Sequence, residues 1–138
     1  MKLSKIISGL LLILLFISCS GKSKENNDLS YLRKYDGKYP RDVNFLDDPI
    51  IKPRLEKMMG KRYDFVKLIW DIENPIKITN DFLSAWGMQL GSGGDPAAII
   101  LIDLKKNIIY AAVREEGNLE VYSENGSKAP TFLEENKW

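Results

Sequence analysis

Histidine is absent from the 138 residues, and there is one cysteine. Without imidazole the chain lacks the commonest general base, the Ser-His and Cys-His nucleophile pairs, and the usual nitrogen ligands of zinc. A lone thiol can neither close an internal disulfide nor build a thiolate metal cluster. An excess of one charge sign is also missing, since 20 Lys and Arg face 19 Asp and Glu for a net charge of +1. No basic surplus is available to hold a phosphate backbone, so a nucleic-acid partner is not expected. The length is that of one domain.

The longest apolar run lies at the start. Lys2 and Lys5 precede Ile6 to Ile17, which is apolar apart from Ser8 and Gly9. This is the n-region and h-region pattern of a signal peptide, too short for the roughly 20 apolar residues a bilayer span requires. The run ends in Phe16-Ile17-Ser18-Cys19, which resembles the lipobox of bacterial lipoproteins, with Phe16 where Leu is usual. The resemblance implies a diacylglycerol thioether on Cys19, cleavage before it and acylation of the new amine. An ordinary signal peptide with an incidental Cys is the other reading. Residues 1–18 are therefore expected to be a lipoprotein signal peptide, with the membrane as a partner through lipidated Cys19. Several acyl chains make a stable anchor where a single short one does not. Ser20 in place of Asp resembles an outer-membrane address of the enteric type, facing the periplasm. Cleavage would move the net charge from +1 to −1, because only Lys2 and Lys5 are lost.

Residues 20–28 contain nothing apolar to bury, so residues 19–28 read as a solvated tether and residues 29–138 as a single domain. Leu29, Tyr31, Leu32 and Tyr35 suit one short helical turn. Asp47-Asp48-Pro49 is a helix-start signal, followed by Ile51, Leu55, Met58 and Met59 on one helical face and by Gly60 as a stop. A second short helix over about 62–69 is expected to bury Phe65, Leu68 and Ile69. After Pro75 the period changes. Ile76 and Ile78 alternate with Lys77 and Thr79, and strands are expected over 82–90, 97–104, 108–115 and 119–124. In the last strand Leu119, Val121 and Ser123 oppose Glu120, Tyr122 and Glu124. Connections this short make the final three strands antiparallel neighbours. The tail, 130–138, is expected to close as a short helix on Leu133 and Trp138. The fold class that follows is α+β, with N-terminal helices packed on an antiparallel β-meander sheet.

Residues 87–96 carry four glycines between two strands. Glycine there permits positive φ and close backbone approach. The segment is not a Walker A loop, lacking Gly-Lys-Ser/Thr, nor a dinucleotide fingerprint, since a strand follows it. Ser92 has no His to activate it. The adjacent acids Asp47-Asp48, Glu115-Glu116 and Glu134-Glu135 read as a helix start, a turn and a solvated helix face rather than a glycosidase pair. Residues 95–103 lack the alternating acids of a calcium loop. No catalytic set, metal or cofactor is expected, and residues 87–96 are a candidate binding loop, with Met88, Gln89, Leu90, Ser92 and Asp95 as its contact residues.

The stretch from Gly87 to Asp103, with Ala97-Ala98-Ile99-Ile100-Leu101-Ile102-Asp103 as its second strand, resembles the periplasmic lysozyme-inhibitor (Ivy-like) family. In that family helices precede an antiparallel sheet, and a Cys-x-x-His-x-Cys loop joins two central strands, the second reading Ala-apolar-apolar-x-Ile-Asp. The family's Cys, His and Cys fall here on Met88, Gly91 and Gly93. The resemblance covers residues 75–122 and implies a protein-binding domain without the disulfide-pinned His that enters the lysozyme cleft. The expected protein is thus a lipid-anchored, non-enzymatic envelope protein. Its domain binds another macromolecule in the periplasm, such as a lysozyme-type cell-wall hydrolase. The alternative is a structural envelope lipoprotein supporting a membrane assembly through exposed Tyr110, Tyr122 and Trp138.

Overall fold

The computed structural model describes residues 27–138. The expected signal peptide, Cys19 and most of the expected tether lie outside the described residues. Three 3-10 turns, Leu29–Tyr35, Pro40–Val43 and Phe45–Asp47, lead into helices α1 (Ile51–Met59) and α2 (Arg62–Leu68). Strands β1 (Ile72–Glu73), β2 (Lys77–Thr79), β3 (Phe82–Met88), β4 (Ala97–Asp103), β5 (Ile108–Glu115) and β6 (Asn118–Ser123) follow, and α3 (Thr131–Glu134) ends the order. The class is α+β. Among the described residues no helix is long and apolar enough to cross a membrane.

Asp48 sets the start of α1. Its buried carboxylate accepts the Ile50 and Ile51 N–H groups at 2.8 and 3.1 Å and the Tyr31 hydroxyl at 2.6 Å, satisfying donors that a helix start leaves unpaired. Pro53 sits in the first turn of α1, directly after the Lys52 N–H that donates to the Asp48 carbonyl at 2.9 Å, where the lack of one N–H is tolerated. Gly60 ends the helix at φ 57° with its N–H on the Glu56 carbonyl.

The expected inward face of α2 holds at Ile69 and in part at Phe65, and is corrected at Leu68. Tyr63, Val66 and Ile69 are buried, whereas Leu68 is 75% exposed and Phe65 is half-buried. Two apolar stripes compete on this helix. The one carrying Tyr63 goes inward, where its hydroxyl donates to the Leu46 carbonyl. Phe65 instead lies under the Arg62 guanidinium, 4.2 Å from the ring centroid.

The antiparallel sheet runs β1-β3-β4-β5-β6, with β2 also on the outer edge of β3. β1 is an addition to the expected set. β4 is central and pairs along its whole length with β3 and β5. Its alternate residues feed two cores. Ala98, Ile100 and Ile102 join one buried cluster with Leu83, Ala111 and Val113 and with Leu55, Met59, Tyr63 and Val66 of the helices. Ile99 and Leu101 join the other, with Tyr110, Ala112, Ala129 and Leu133. The β6 alternation holds at its apolar ends, because Leu119 packs with the second cluster and Tyr122 with the first.

Candidate functional site

The β3–β4 connection, residues 89–96, is a compact loop tied down on three sides. Within it, the Gln89 N–H donates to the Pro96 carbonyl at 3.3 Å, and the Gln89 carbonyl accepts the Ser92 N–H and hydroxyl at 3.3 and 2.8 Å. Gly91, Gly93 and Gly94 all have positive φ, 73°, 66° and 97°, the conformations that the glycine content anticipates. From α2's side, Asp71 accepts the Leu90 N–H at 3.1 Å. From β5, Arg114 donates through Nε and Nη2 to the Gly94 carbonyl at 3.0 and 2.9 Å. Its remaining nitrogen reaches Asn136 Oδ1 at 2.8 Å, and its guanidinium lies 4.6 Å from the Trp138 ring centroid. The Asp95 carboxylate, in turn, accepts the Glu116 and Gly117 N–H groups of the β5–β6 turn, both at 2.8 Å.

The five residues expected to make contacts separate into three groups. Gln89 and Leu90 are exposed, Leu90 at 72%. Ser92 spends its hydroxyl on the loop itself and Asp95 its carboxylate on the β5–β6 turn. Met88 is half-buried at the end of β3, paired with Ala97 and Ile72. A groove of about 380 Å³ separates the loop from α2, bounded by Phe65, Leu68 and Ile69 on one side and Gln89, Asp95 and Pro96 on the other. Two strongly exposed leucines, Leu68 and Leu90, therefore belong to the helix and loop that flank it. The sequence reading missed Leu68 because helical spacing had assigned it to the core. It also missed Arg114, which stands twenty residues from the carbonyl it holds.

Beyond the groove, Arg62 Nη2 bridges Glu115 at 2.5 Å and Glu120 at 2.8 Å. Tyr122 donates to Glu120. Burial pushes the Tyr122 phenol up to about 12, and the hydrogen bond to Glu120 and its charge act in the same direction. Arg62 thus ties α2 to both β5 and β6 through these carboxylates. Among the described residues no group of three or more acids or thiols is placed to hold a metal ion.

The aromatic surface on which a structural role would rest does not form as expected. Tyr110 is 5% exposed, its hydroxyl 3.1 Å from the Ser127 hydroxyl, and Tyr122 and Trp138 are half-buried.

A family model described as Ivy, inhibitor of vertebrate lysozyme, matches residues 50–136. The match begins just before α1 and includes every strand, the loop and Arg114. No curated protein and no solved structure matches the chain.

Proposed function

The chain belongs to the Ivy family, the inhibitors of vertebrate lysozyme, and from that membership we propose that its domain binds a lysozyme-type cell-wall hydrolase without catalysing a reaction. The observation that carries this reading is the pairing of exposed apolar side chains with a clamped loop. Leu90 and Leu68 stand 72% and 75% exposed on elements fixed by hydrogen bonds. Apolar groups held rigidly before binding lose little freedom on contact, which favours association.

The mode of contact differs from the one the family resemblance implies. Gly91 occupies the place of the family's His and has no side chain to send between catalytic carboxylates. Met88 and Gly93 occupy the places of the cysteines. Binding here would rest on Leu90, Leu68 and the exposed loop backbone, with inhibition by obstruction of the cleft. We read the helices as covering one face of the sheet and bracing the loop through Asp71. We read Cys19 as the lipid anchor that keeps the domain in the periplasm at the outer membrane.

The test is affinity for a purified animal lysozyme, measured by biolayer interferometry with the chain from Ser20 onward. Leu90→Asp and Leu68→Asp should each weaken binding tenfold or more while leaving the thermal midpoint in place. Absence of binding by the unsubstituted protein overturns the proposal. Unchanged affinity in both variants removes the assigned surface.

A further inference from the structure

Asn125-Gly126 is the one Asn-Gly pair in the chain. It lies between β6 and α3, and both residues are exposed. Every other asparagine is followed by a bulkier residue, so only here does no side chain crowd the backbone nitrogen that follows the amide. Gly126 has φ 73°, and the space where a β-carbon would stand is open.

Two donors converge on the Asn125 side-chain oxygen. The Ser127 N–H reaches Oδ1 at 3.0 Å and the Ser123 hydroxyl reaches it at 3.3 Å. A backbone N–H can only donate, so its position decides which end of the amide is oxygen. Donors on a carbonyl oxygen draw electrons from the carbon and stabilise the negative charge that develops when a nucleophile adds to it. The nucleophile next along the chain is the Gly126 nitrogen. Its N–H is held by the Ser123 carbonyl at 3.3 Å, beyond the usual range for a strong N–H to oxygen bond.

We propose that Asn125 is a self-modification site, at which the folded turn promotes deamidation by the Gly126 nitrogen. Hydroxide takes the Gly126 N–H proton, the nitrogen electron pair forms a bond to Asn125 Cγ, and the Cγ–Nδ2 bond breaks to release ammonia, which takes its proton from water. Water then opens the resulting cyclic imide at either carbonyl to give aspartate or isoaspartate. In sum, one amide and one water become one carboxylate and one ammonium, with nothing oxidised or reduced. The isoaspartate product lengthens the main chain by one carbon just before Ser127, whose hydroxyl is 3.1 Å from that of Tyr110 in the second core. The modification therefore reaches the anchorage of the C-terminal segment.

The experiment incubates the chain from Ser20 onward at mildly alkaline pH, folded in buffer and unfolded in guanidinium chloride at the same pH and temperature. Peptide mass spectrometry follows the change from amide to acid at each asparagine, and isoaspartate methyltransferase labelling reports the rearranged product. Conversion is expected to be fastest at Asn125, to accelerate with hydroxide, and to run faster in the folded than in the unfolded chain. Ser123→Ala should slow it about threefold in the folded chain alone, the size of one neutral hydrogen bond. Gly126→Ala should slow it in both states. If Ser123→Ala fails to fold by circular dichroism, the comparison of folded and unfolded parent decides alone. Conversion that is no faster in the folded chain overturns the proposal, since the turn would then protect the amide. An unchanged rate in folded Ser123→Ala overturns it equally.

Discussion

Arg114 holds the carbonyl of Gly94 with two nitrogens, at 3.0 and 2.9 Å. A fork of this kind fixes direction as well as distance, which a lysine ammonium cannot do. It fastens a loop that lacks the disulfide the family resemblance implies between the places of Met88 and Gly93, and it joins that loop to the sheet through β5 and to the C-terminal segment through Asn136 and Trp138.

Arg114→Ala should therefore release the loop while leaving the sheet intact. Hydrogen bonds to a charged group contribute about 1.5–3 kcal/mol each in favourable settings, so a loss of about 2 kcal/mol in urea unfolding is expected. Amide exchange should accelerate at Gly94, Glu116 and Gly117 and remain slow along β4. Arg114→Lys should recover little of this. Equal recovery by Lys would mean that charge alone, without the fork, holds the loop.

A second prediction concerns Gly87. A β-carbon added there would lie 2.3 Å from the Trp70 ring, closer than packed atoms allow. Trp70 cannot retreat freely, because its indole N–H donates to Glu73 at 2.9 Å and that buried carboxylate also accepts Arg41 at 2.7 Å. Gly87→Ala should cost about 1–3 kcal/mol, the usual range for overpacking. Combined with Trp70→Ala the penalty should largely vanish, since the obstacle is gone. Simple additivity of the two substitutions in a thermal or urea cycle would contradict this contact.

Glu124 supplies a pH dependence. Burial opposes its ionisation, but the hydrogen bonds from Arg54, at 2.6 and 2.7 Å, and from the Ile109 N–H more than compensate, so its pKa lies below the usual glutamate value. A depressed folded-state pKa means that the ionised form stabilises the fold above the unfolded-state pKa. That contribution is lost as pH falls through the lowered value. Glu124→Gln should be less stable than the parent at pH 7, with the difference shrinking below about pH 4. A difference that is constant from pH 7 to pH 3 would show that ionisation plays no part.

The fourth prediction separates the two faces of α2. Leu68→Asp should shift stability by no more than about 0.5 kcal/mol, as exposed substitutions do. Val66→Asp places a carboxylate where the side chain is 0% exposed and should prevent folding at room temperature. Circular dichroism of the two variants is sufficient. Unfolding of the Leu68 variant would return that residue to the core.

Where the sequence carried one dominant period, the fold was legible in it. The spacing Ile51, Leu55, Met59 and the stop at Gly60 locate α1, and the unbroken apolar run of β4 marks a strand buried on both faces. In α2 two apolar stripes overlap, and the choice between them depends on what Tyr63 meets from the turns before α1, which no local pattern contains. β1, with two residues, is too short to show a period at all. The loop was legible from its glycines, though its fastening was not. Asp71, Arg114 and the β5–β6 turn come together only after the sheet has formed. The second core was hidden for the same reason, since Trp138 and Leu133 join Trp86 there only when the tail folds back on the sheet.

The burial of all seven residues of β4 has a consequence for the chain before it folds. Ala97 to Ile102 is a β-prone stretch without a charge, the composition that stacks with copies of itself when exposed. In the native sheet both its edges are taken by β3 and β5. In the unfolded chain its protection reduces to Pro96 at one end and Asp103, Lys105 and Lys106 at the other, residues of the kind that interrupt strand stacking. Replacing Asp103 with an apolar residue would therefore be felt first as turbidity during refolding at high concentration.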